Sequence, residues 1–237
     1  MDQKAEWLPY FAPMVAFAIV LAASDYFEGQ AAALLALRFA VPLLAFLFFL
    51  SRGSYPELKN FHPGWGGLAL DALFGLLVMG VWVAPYLIWP SLASDASNAF
   101  DPAAAGEGWR PVLLALRFAG FVVVTPFIEE LLVRSYLIRA VDTYPSDRDF
   151  REIPVGTFAW RSFLVTVGWF TLTHAEWEWP VALLAGVLYN LWLYRRKHIA
   201  SLVIAHAVTN ASLFLLVVWG AADANAPAIL RDLWFFL

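Results

Sequence analysis

Two adjacent glutamates, followed four residues later by an arginine, are the residues of this chain whose type and position most suggest chemistry. Glu129, Glu130 and Arg134 come directly after the apolar run Phe118–Ile128. Each ionisable side chain placed in hydrocarbon costs roughly 2.5–3.5 kcal/mol, so three together require a structural or a functional reason. They could form an ion network between helices, mark a polar helix end at a membrane surface, or include a carboxylate that acts as a base. The cluster alone does not decide among these interpretations.

The spacing of the three residues predicts different roles for the two glutamates. On a helix with about 100° per residue, Arg134 lies about 40° from Glu130 but about 140° from Glu129. Glu130 and Arg134 therefore form the natural pair of side chains four residues apart. Glu129 is left to face another partner, and we expect it to be the carboxylate available for chemistry.

Two later segments place polar groups four residues apart on apolar helices. Phe170 and His174 put an aromatic ring and an imidazole on one helix face, and His206 and Asn210 do the same for an imidazole and a carboxamide. A single histidine in such a helix is more often a hydrogen-bonded packing residue than a catalyst, and asparagine often only joins helices. The combination of an unpaired carboxylate, two imidazoles and an amide favours a functional site.

The elements that must position these groups are membrane helices. The chain has 237 residues, of which 62% are hydrophobic and 14% charged, and its mean hydropathy is +0.68. A soluble domain of this length cannot bury so much apolar surface, so the composition predicts an all-α polytopic membrane protein. The chain contains no cysteine, which excludes thiol catalysis, disulfides and zinc sites with a cysteine ligand. The net charge of −4, without a basic tract, argues against a nucleic-acid partner.

Hydropathy predicts a bundle of seven transmembrane helices in a single membrane domain that covers residues 1–237. The predicted spans are residues 8–24, 31–50, 66–90, 111–140, 158–174, 180–194 and 199–219. An eighth span would result if 111–140 is two segments broken at Pro126, because about 20 residues suffice to cross a bilayer. The first run is expected to remain a helix, since Met1–Glu6 lacks the pattern of a cleaved signal peptide.

The distribution of charge between the spans predicts the orientation of the chain, because basic and acidic connections alternate. The basic residues are Arg52, Lys59, Arg139, Arg148, Arg151, Arg195, Arg196 and Lys197, and the acidic ones are Asp25, Glu28, Asp95, Asp101, Glu107, Glu176 and Glu178. Lysine and arginine favour the cytoplasmic side of a membrane. We therefore expect a cytoplasmic N-terminus and, with an odd number of spans, a C-terminus on the other side.

The order of the polar motifs resembles a known family. The three motifs are Glu129-Glu130-Leu-Leu-Val-Arg134, Phe170-x-x-x-His174 and His206-x-x-x-Asn210. In this order and on successive helices, they resemble the signature of the CAAX protease and bacteriocin-processing superfamily, which includes the type II CAAX prenyl endopeptidases. The resemblance covers a core of residues 110–220, whereas the first three spans resemble nothing specific. Two stretches, 160–163 and 205–210, are also similar to a bacterial subgroup associated with exosortase systems.

The resemblance implies an intramembrane endopeptidase in which a glutamate and a histidine activate water. By motif position, Glu129 would be the general base and His174 would hold and polarise the water. His206 and Asn210 would stabilise the oxyanion of the tetrahedral intermediate. This assignment agrees with general chemistry, because hydrogen-bond donors fixed in a low dielectric stabilise developing charge strongly.

Three further residues have a supporting role in this interpretation. Glu130, paired to Arg134, would orient the helix and leave Glu129 unencumbered, and Phe170 would support His174. The substrate implied is a membrane-associated protein or peptide, with or without a lipid modification, and membrane lipid is the surrounding partner. The resemblance to bacterial members implies the bacterial inner membrane as the location.

The sequence favours a site without a tightly bound metal. Two histidines and a carboxylate suit zinc, and the family has been described in both metal-dependent and metal-independent terms. No helix carries the closely spaced His-Glu-x-x-His pattern of zinc proteases. We expect no cofactor, and zinc remains the alternative.

One distance in this arrangement conflicts with the predicted spans. At 1.5 Å per residue, His206 lies about 10 Å and His174 about 24 Å from the cytoplasmic ends of their helices, so the two should not meet. Either the span that contains His174 begins beyond Trp160, or residues 174–179 turn into the protein interior and line a cavity.

Other polar residues inside the spans have a structural interpretation. Arg38, Asp71 and Arg117 could pair with one another or extend to an interface. Asn190 could line the cavity or join two helices, and His198 is expected to be solvated.

Two other functions remain open from the sequence. A proton-coupled transporter also uses intramembrane Glu, His and Arg, but it predicts polar residues across the whole membrane and repeated halves, neither of which is visible here. A non-catalytic immunity or scaffold protein could use the same polar network only to hold its helices together. The intact motifs favour the enzyme.

Overall fold

The structure is a computed structural model that describes residues 6–23, 26–27, 30–93, 100–103, 105–146 and 148–236. Within these residues the regular structure is helical and contains no strand, which confirms the predicted all-α class. Several residues used in the sequence arguments lie outside the described part of the chain, namely Asp25, Glu28, Asp95 and the first five of the N-terminal segment.

Eight helices form the described bundle. We number them α1 (Leu8–Ala23), α2 (Ala31–Ser51), α3 (Gly64–Ile88), α4 (Glu107–Thr143), α5 (Trp160–Leu172), α6 (Trp179–Arg196), α7 (Ile199–Ala222) and α8 (Ala228–Arg231). The first seven coincide with the seven predicted spans, with ends that differ by a few residues. Short 3₁₀ turns connect them, including Glu176–Glu178 before α6 and Asp232–Phe236 after α8.

Four of the described helices are long and apolar enough to cross a membrane, namely α2, α3, α4 and α7. The 16-residue α1 is apolar but shorter, and α5 has 13 residues. The number of membrane crossings beyond these four stays a prediction. The break expected in the eight-span alternative is absent, because α4 runs through Pro126 without interruption. Pro126 begins an α-helical turn, where a missing backbone N–H is tolerated.

Helix α7 lies at the centre of the bundle. In its most apolar 18-residue window 56% is buried, compared with 22–28% for α2, α3 and α4. Gly75 of α3 permits a close crossing, because a Cβ atom at this position would collide with the carbonyl oxygen of Ala205. The Thr209 hydroxyl lies 2.8 Å from the Gly75 carbonyl oxygen at the same crossing. The outer helices present large apolar side chains such as Leu44 and Leu73 outward, as a lipid-facing surface requires.

The connections meet at two opposite ends of the bundle. At one end, the basic connections lie together: His198 contacts the Lys59 carbonyl oxygen at 3.3 Å, and Arg139 forms an ion pair with Glu57 at 3.6 Å. At the other end, the Tyr86 hydroxyl donates to the Trp177 carbonyl oxygen at 2.9 Å, and Phe236 packs against both rings. The alternation of charge in the sequence therefore corresponds to two distinct ends.

Candidate active site

Helix α4 changes its winding on both sides of Glu129. Residues Gly120–Val124 and Glu130–Leu137 are π-helical, and the α-helical turn Thr125–Glu129 lies between them. π-Helical turns are rare and are often found at functional sites, because the wider winding changes the direction of side chains and the pairing of backbone groups. The glutamate pair therefore lies where α4 departs from regular geometry.

The first π-helical turn explains the position of Asn210. In this turn the Thr125 N–H donates to the Gly120 carbonyl oxygen, five residues earlier. In the same register the Phe121 carbonyl would pair with Pro126, which has no N–H to donate. The Asn210 side chain of α7 supplies the missing donor, because its Nδ2 donates to the Phe121 oxygen at 2.7 Å. Asn210 thereby joins α7 to α4 and is oriented by that bond.

Glu130 is buried within a local network, as the spacing predicted. Its Oε1 accepts from the Arg134 Nη1 at 3.3 Å and from the His206 Nδ1 at 2.8 Å. The side chains of Glu130 and Arg134 are both fully buried. The predicted pair four residues apart is confirmed, and His206 is added to it. This arrangement leaves Glu130 no room to face a substrate.

Glu129 differs from its neighbour, because it reaches a cavity. Its side chain is 21% exposed, and its Oε2 lies 3.9 Å from the His206 Nε2. That oxygen is itself buried and has no hydrogen-bond partner among the described residues. A carboxylate oxygen in this situation is an acceptor available to a bound water or substrate.

His174 reaches the same cavity from the turn that follows α5. The helix begins at Trp160 and ends at Leu172, so a later start of this span is wrong, and the turn into the interior is confirmed. The His174 ring folds back along the helix, with Nδ1 2.6 Å from the Phe170 carbonyl oxygen. This bend shortens the distance to His206 that helix length alone predicted. Because a carbonyl can only accept, Nδ1 carries the hydrogen, and in the neutral ring Nε2 is an acceptor.

All four predicted catalytic side chains line one cavity of about 210 Å³. These are Glu129, His174, His206 and Asn210, contributed by α4, the turn after α5, and α7. A second cavity of about 190 Å³ adjoins it, and Glu129 contributes to the walls of both. The second cavity has largely apolar walls that include Phe17, Leu35 and Phe39. Glu129 therefore lies between a polar chamber and an apolar one.

The predicted supporting residues form the wall behind the imidazoles. The guanidinium of Arg134 lies 4.2 Å from the centre of the Phe170 ring, and its Nε donates to Asn190 Oδ1 at 3.4 Å. Phe170 also contacts the His174 ring, with 4.5 Å between the ring centres. Phe170 thus links the buried ion pair to His174, and Asn190 joins helices rather than lining the cavity.

The structure adds a residue that the sequence analysis treated only as a loop charge. Glu178 lines the same cavity, whereas Glu176 in the same turn is exposed. Burial raises the pKa of the Glu178 carboxyl group above its ordinary value, although nearby His174 and a hydrogen bond from the Ala175 N–H act in the opposite direction. The signal was present as His174-x-x-x-Glu178, a spacing of four. Trp82, Arg117 and Tyr189 also line the cavity, and no motif predicted that.

Asp71, predicted to pair with Arg38 or Arg117, has other partners. It is bound by Arg196 through two hydrogen bonds, of 2.8 and 3.0 Å, and by the Trp192 indole N–H at 2.9 Å. The prediction failed because residues 125 positions apart in the chain meet at one end of α3 and α6. Arg38 and Arg117 instead line the apolar cavity.

The arrangement of ligands does not suit a metal ion in the part of the chain that the structure describes. No group of three or more His, Asp or Glu side chains there is placed to hold one. His206 also uses Nδ1 for Glu130. The predicted independence from metal stays a prediction, and a chelator experiment can decide it.

Comparisons with known proteins give one match. Residues 111–212 match the model of a family described as "Type II CAAX prenyl endopeptidase Rce1-like". No curated protein and no solved structure matches the chain. The matched segment contains all three motifs and, in the structure, the residues from α4 to α7 that line the polar cavity.

Proposed function

Residues 111–212 place the chain in the CAAX protease superfamily, and on that premise we propose that it cleaves a peptide bond by activating water with Glu129 and His174. The family is one of proteases, and the apolar helices make this an integral membrane protein of the intramembrane endopeptidase type. The mechanism, the substrate and the orientation are our proposals. The observation that carries the mechanism is the buried, unpaired Oε2 of Glu129 on the cavity wall.

The first step is attack by water. One hydrogen of the water is donated to Glu129, which accepts the proton as the nucleophile forms. The other hydrogen is donated to the His174 Nε2, which the Phe170 carbonyl holds as an acceptor. Two acceptors of this kind fix the water oxygen toward the carbonyl carbon of the substrate. Proton transfer to a positioned base contributes about 10²–10⁴-fold to rate.

The second requirement is stabilisation of the oxyanion. His206 presents Nε2 to the cavity, and this nitrogen donates when the ring carries both hydrogens. Asn210 uses one hydrogen of Nδ2 for the Phe121 carbonyl, and the second hydrogen of the same nitrogen remains for the oxyanion. Both groups are held by bonds to α4, so they need little reorganisation during the reaction. Loss of one such donor typically costs about 10²–10³ in rate.

The apolar cavity beside Glu129 supports a substrate with an apolar, membrane-embedded part. Its walls come from α1, α2 and α4, and it shares Arg117, Phe121 and Thr125 with the polar cavity. A peptide that carries a lipid could therefore place its apolar part next to the scissile bond. We propose a lipid-modified or membrane-inserted peptide as the substrate class. The exosortase-associated subgroup stays a prediction.

The experiment uses the full chain in liposomes with a synthetic peptide that carries an S-farnesyl cysteine and a fluorophore–quencher pair across the following residues. An unmodified twin peptide tests the lipid requirement. Wild type is compared with Glu129→Gln, His174→Ala and His206→Ala, with Glu176→Gln as the exposed control. We expect the first three to lose at least about 10²-fold in rate while folding normally. Equal cleavage by wild type and Glu129→Gln would show that the proposed mechanism is wrong.

The same experiment separates the enzyme from a non-catalytic scaffold. If the three variants fail to accumulate as folded protein, the polar network holds the bundle together and has no demonstrated role in catalysis. Activity that persists in a chelator, in protein free of stoichiometric zinc, would support a metal-independent reaction. Activity restored only by zinc would contradict it.

We also propose that the end with the basic connections faces the cytoplasm of a bacterial cell, with the N-terminus on the same side. The chain contains no cysteine, so single cysteines can report on this. We expect a membrane-impermeant maleimide added to intact cells to label Glu107→Cys but not Lys59→Cys. The reverse pattern would invert the orientation.

A further inference from the structure

The cavity contains a second carboxyl group that the proposed mechanism does not use. Glu178 lines the polar cavity together with Glu129, and it comes from a different element, the turn between α5 and α6. The other acid of this turn, Glu176, is exposed. One acid of the turn therefore faces the reaction chamber and the other faces away from the protein.

We propose that Glu178 is the proton donor to the leaving nitrogen when the peptide bond breaks. This inference rests on the proposed function, because it assigns the second half of the same reaction. After attack, Glu129 holds the proton taken from water, and the intermediate carries an oxyanion, a hydroxyl and the substrate nitrogen. An amide nitrogen leaves poorly as an anion, so it needs a proton as the carbon–nitrogen bond breaks.

The step balances with the groups present. The oxyanion reforms the carbonyl double bond, the carbon–nitrogen bond breaks, and its electron pair goes to nitrogen. Nitrogen takes the proton of Glu178, which yields a neutral amine and a carboxylate at Glu178. The carboxyl product departs with the hydroxyl that came from water. The proton held by Glu129 then returns to Glu178 through water, and both acids regain their starting state.

The surroundings of Glu178 suit a group that must hold a proton. Its burial disfavours the charged form and raises the pKa of the carboxyl group, and the nearby carboxylate of Glu129 acts in the same direction. Two carboxyl groups in one site with different surroundings commonly divide into an acid and a base. The titratable and charged groups that face the cavity around it are Tyr86, Arg117, Glu129, His174, Tyr189 and His206.

The position of the carboxyl group is fixed by the turn. Glu178 Oε2 accepts a hydrogen bond from the Ala175 N–H at 3.3 Å, so the acidic hydrogen lies on Oε1. The turn is held at both sides: the Trp179 indole donates to the His174 carbonyl oxygen at 3.1 Å, and Tyr86 donates to the Trp177 carbonyl oxygen. A proton donor is effective only when it is held in this way.

The test compares Glu178→Gln with Glu176→Gln in liposomes, on two probes. One is the S-farnesyl peptide described above, and the other is the same molecule with an ester in place of the scissile amide. An alkoxide leaves more easily than an amide anion, so the ester depends less on the proton donor. We expect Glu178→Gln to lose about 10²-fold or more on the amide and roughly 10-fold or less on the ester. Glu178→Asp should recover part of the amide rate.

The pH profile gives a second readout. The donor acts in its protonated form, so wild-type turnover of the amide should fall as pH rises through the pKa of Glu178. This limb should be absent in Glu178→Gln and unchanged in Glu176→Gln. Infrared difference spectra of the unliganded protein should contain a protonated carboxyl band that titrates above that of exposed acids and disappears in Glu178→Gln.

The outcomes separate the two proposals. An amide rate unchanged in Glu178→Gln, or equal losses on amide and ester, would overturn the assignment while leaving Glu129 as the base. Failure of Glu129→Gln to reduce either rate would overturn the proposed function instead. If wild type cleaves neither probe, the infrared band decides, since its absence contradicts a proton held by Glu178.

Discussion

Two buried acids of this protein occupy sites of opposite kind. Asp71, at the basic end of the bundle, is fully buried and receives three hydrogen bonds, two from Arg196 and one from Trp192. Glu129, in the centre, has one buried oxygen with no hydrogen-bond partner among the described residues and faces a cavity. Both carry the cost of a carboxylate in an apolar environment, but only Asp71 has that cost offset by neighbours.

The difference shows how buried charge can be assigned a role. A structural acid is surrounded until its acceptors are used, because each unpaired buried group costs about 1–3 kcal/mol or more. A functional acid keeps an acceptor for the substrate, and its neighbours supply the compensation. Glu130 illustrates this, because it binds both Arg134 and His206 and so fixes the groups around Glu129.

The largest expected effect separates the two acids directly. Glu129→Gln removes the base while keeping the size of the side chain, so we expect peptide cleavage to fall by about 10²–10⁴-fold. The melting temperature in detergent should remain that of wild type or rise, because no ion pair is lost and the buried charge disappears. A large loss of stability with this substitution would place Glu129 in the same class as Asp71.

Asn210→Ala tests a residue that joins both classes. It removes an oxyanion donor, which should cost about 10²–10³ in rate. It also leaves the Phe121 carbonyl without its donor, which should lower the free energy of unfolding by about 1–3 kcal/mol. Rate and unfolding are measured on the same preparation. Loss of stability with an unchanged rate would reduce Asn210 to a link between α4 and α7.

Asp71→Asn should affect stability and spare activity. Breaking a buried ion pair typically costs about 3–5 kcal/mol, and we expect about 2–3 kcal/mol because the Arg196 side chain is 21% exposed. Turnover per folded molecule should equal that of wild type. A selective loss of turnover would connect this end of the bundle to the reaction.

Phe170→Leu should have the smallest effect, since it removes a ring that contacts Arg134 and His174. A cation–π contact contributes about 0.5–2 kcal/mol. Phe150→Leu is the matched control, because the Phe150 ring lies 4.9 Å from the guanidiniums of Arg139 and Arg151, away from the polar cavity. Both should lower thermal stability slightly, and only Phe170→Leu should reduce kcat.

The sequence predicted the seven principal helices and the pairing of Glu130 with Arg134. These features depend on local properties, namely apolar runs and a spacing of four residues. The order of the motifs also predicted which polar residues share a cavity, although the conflict between His174 and His206 could not be resolved from helix lengths. The fold back of the imidazole after Leu172 depends on where the helix ends, which propensity does not define closely.

Other features depend on contacts between distant segments and escaped prediction. The π-helical winding on either side of Glu129 and the bond from Asn210 to the Phe121 carbonyl arise when α7 docks on α4. The partner of Asp71 is 125 residues away in the chain. Glu178 was interpreted as a loop charge because the direction of a side chain in a turn is not encoded in its spacing from a histidine alone.

The contact between His206 and Glu130 joins residues 76 positions apart, and this has a consequence for biogenesis. At about 5–20 residues per second, the ribosome needs roughly 4–15 s to supply His206 after Glu130. During that interval α4 enters the membrane without α7, and Arg134 is the partner within reach of its glutamates. The local pair lowers the cost of insertion, and the catalytic groups remain separate until α7 docks. A nascent protease of this design stays inert until its last long helix is in place.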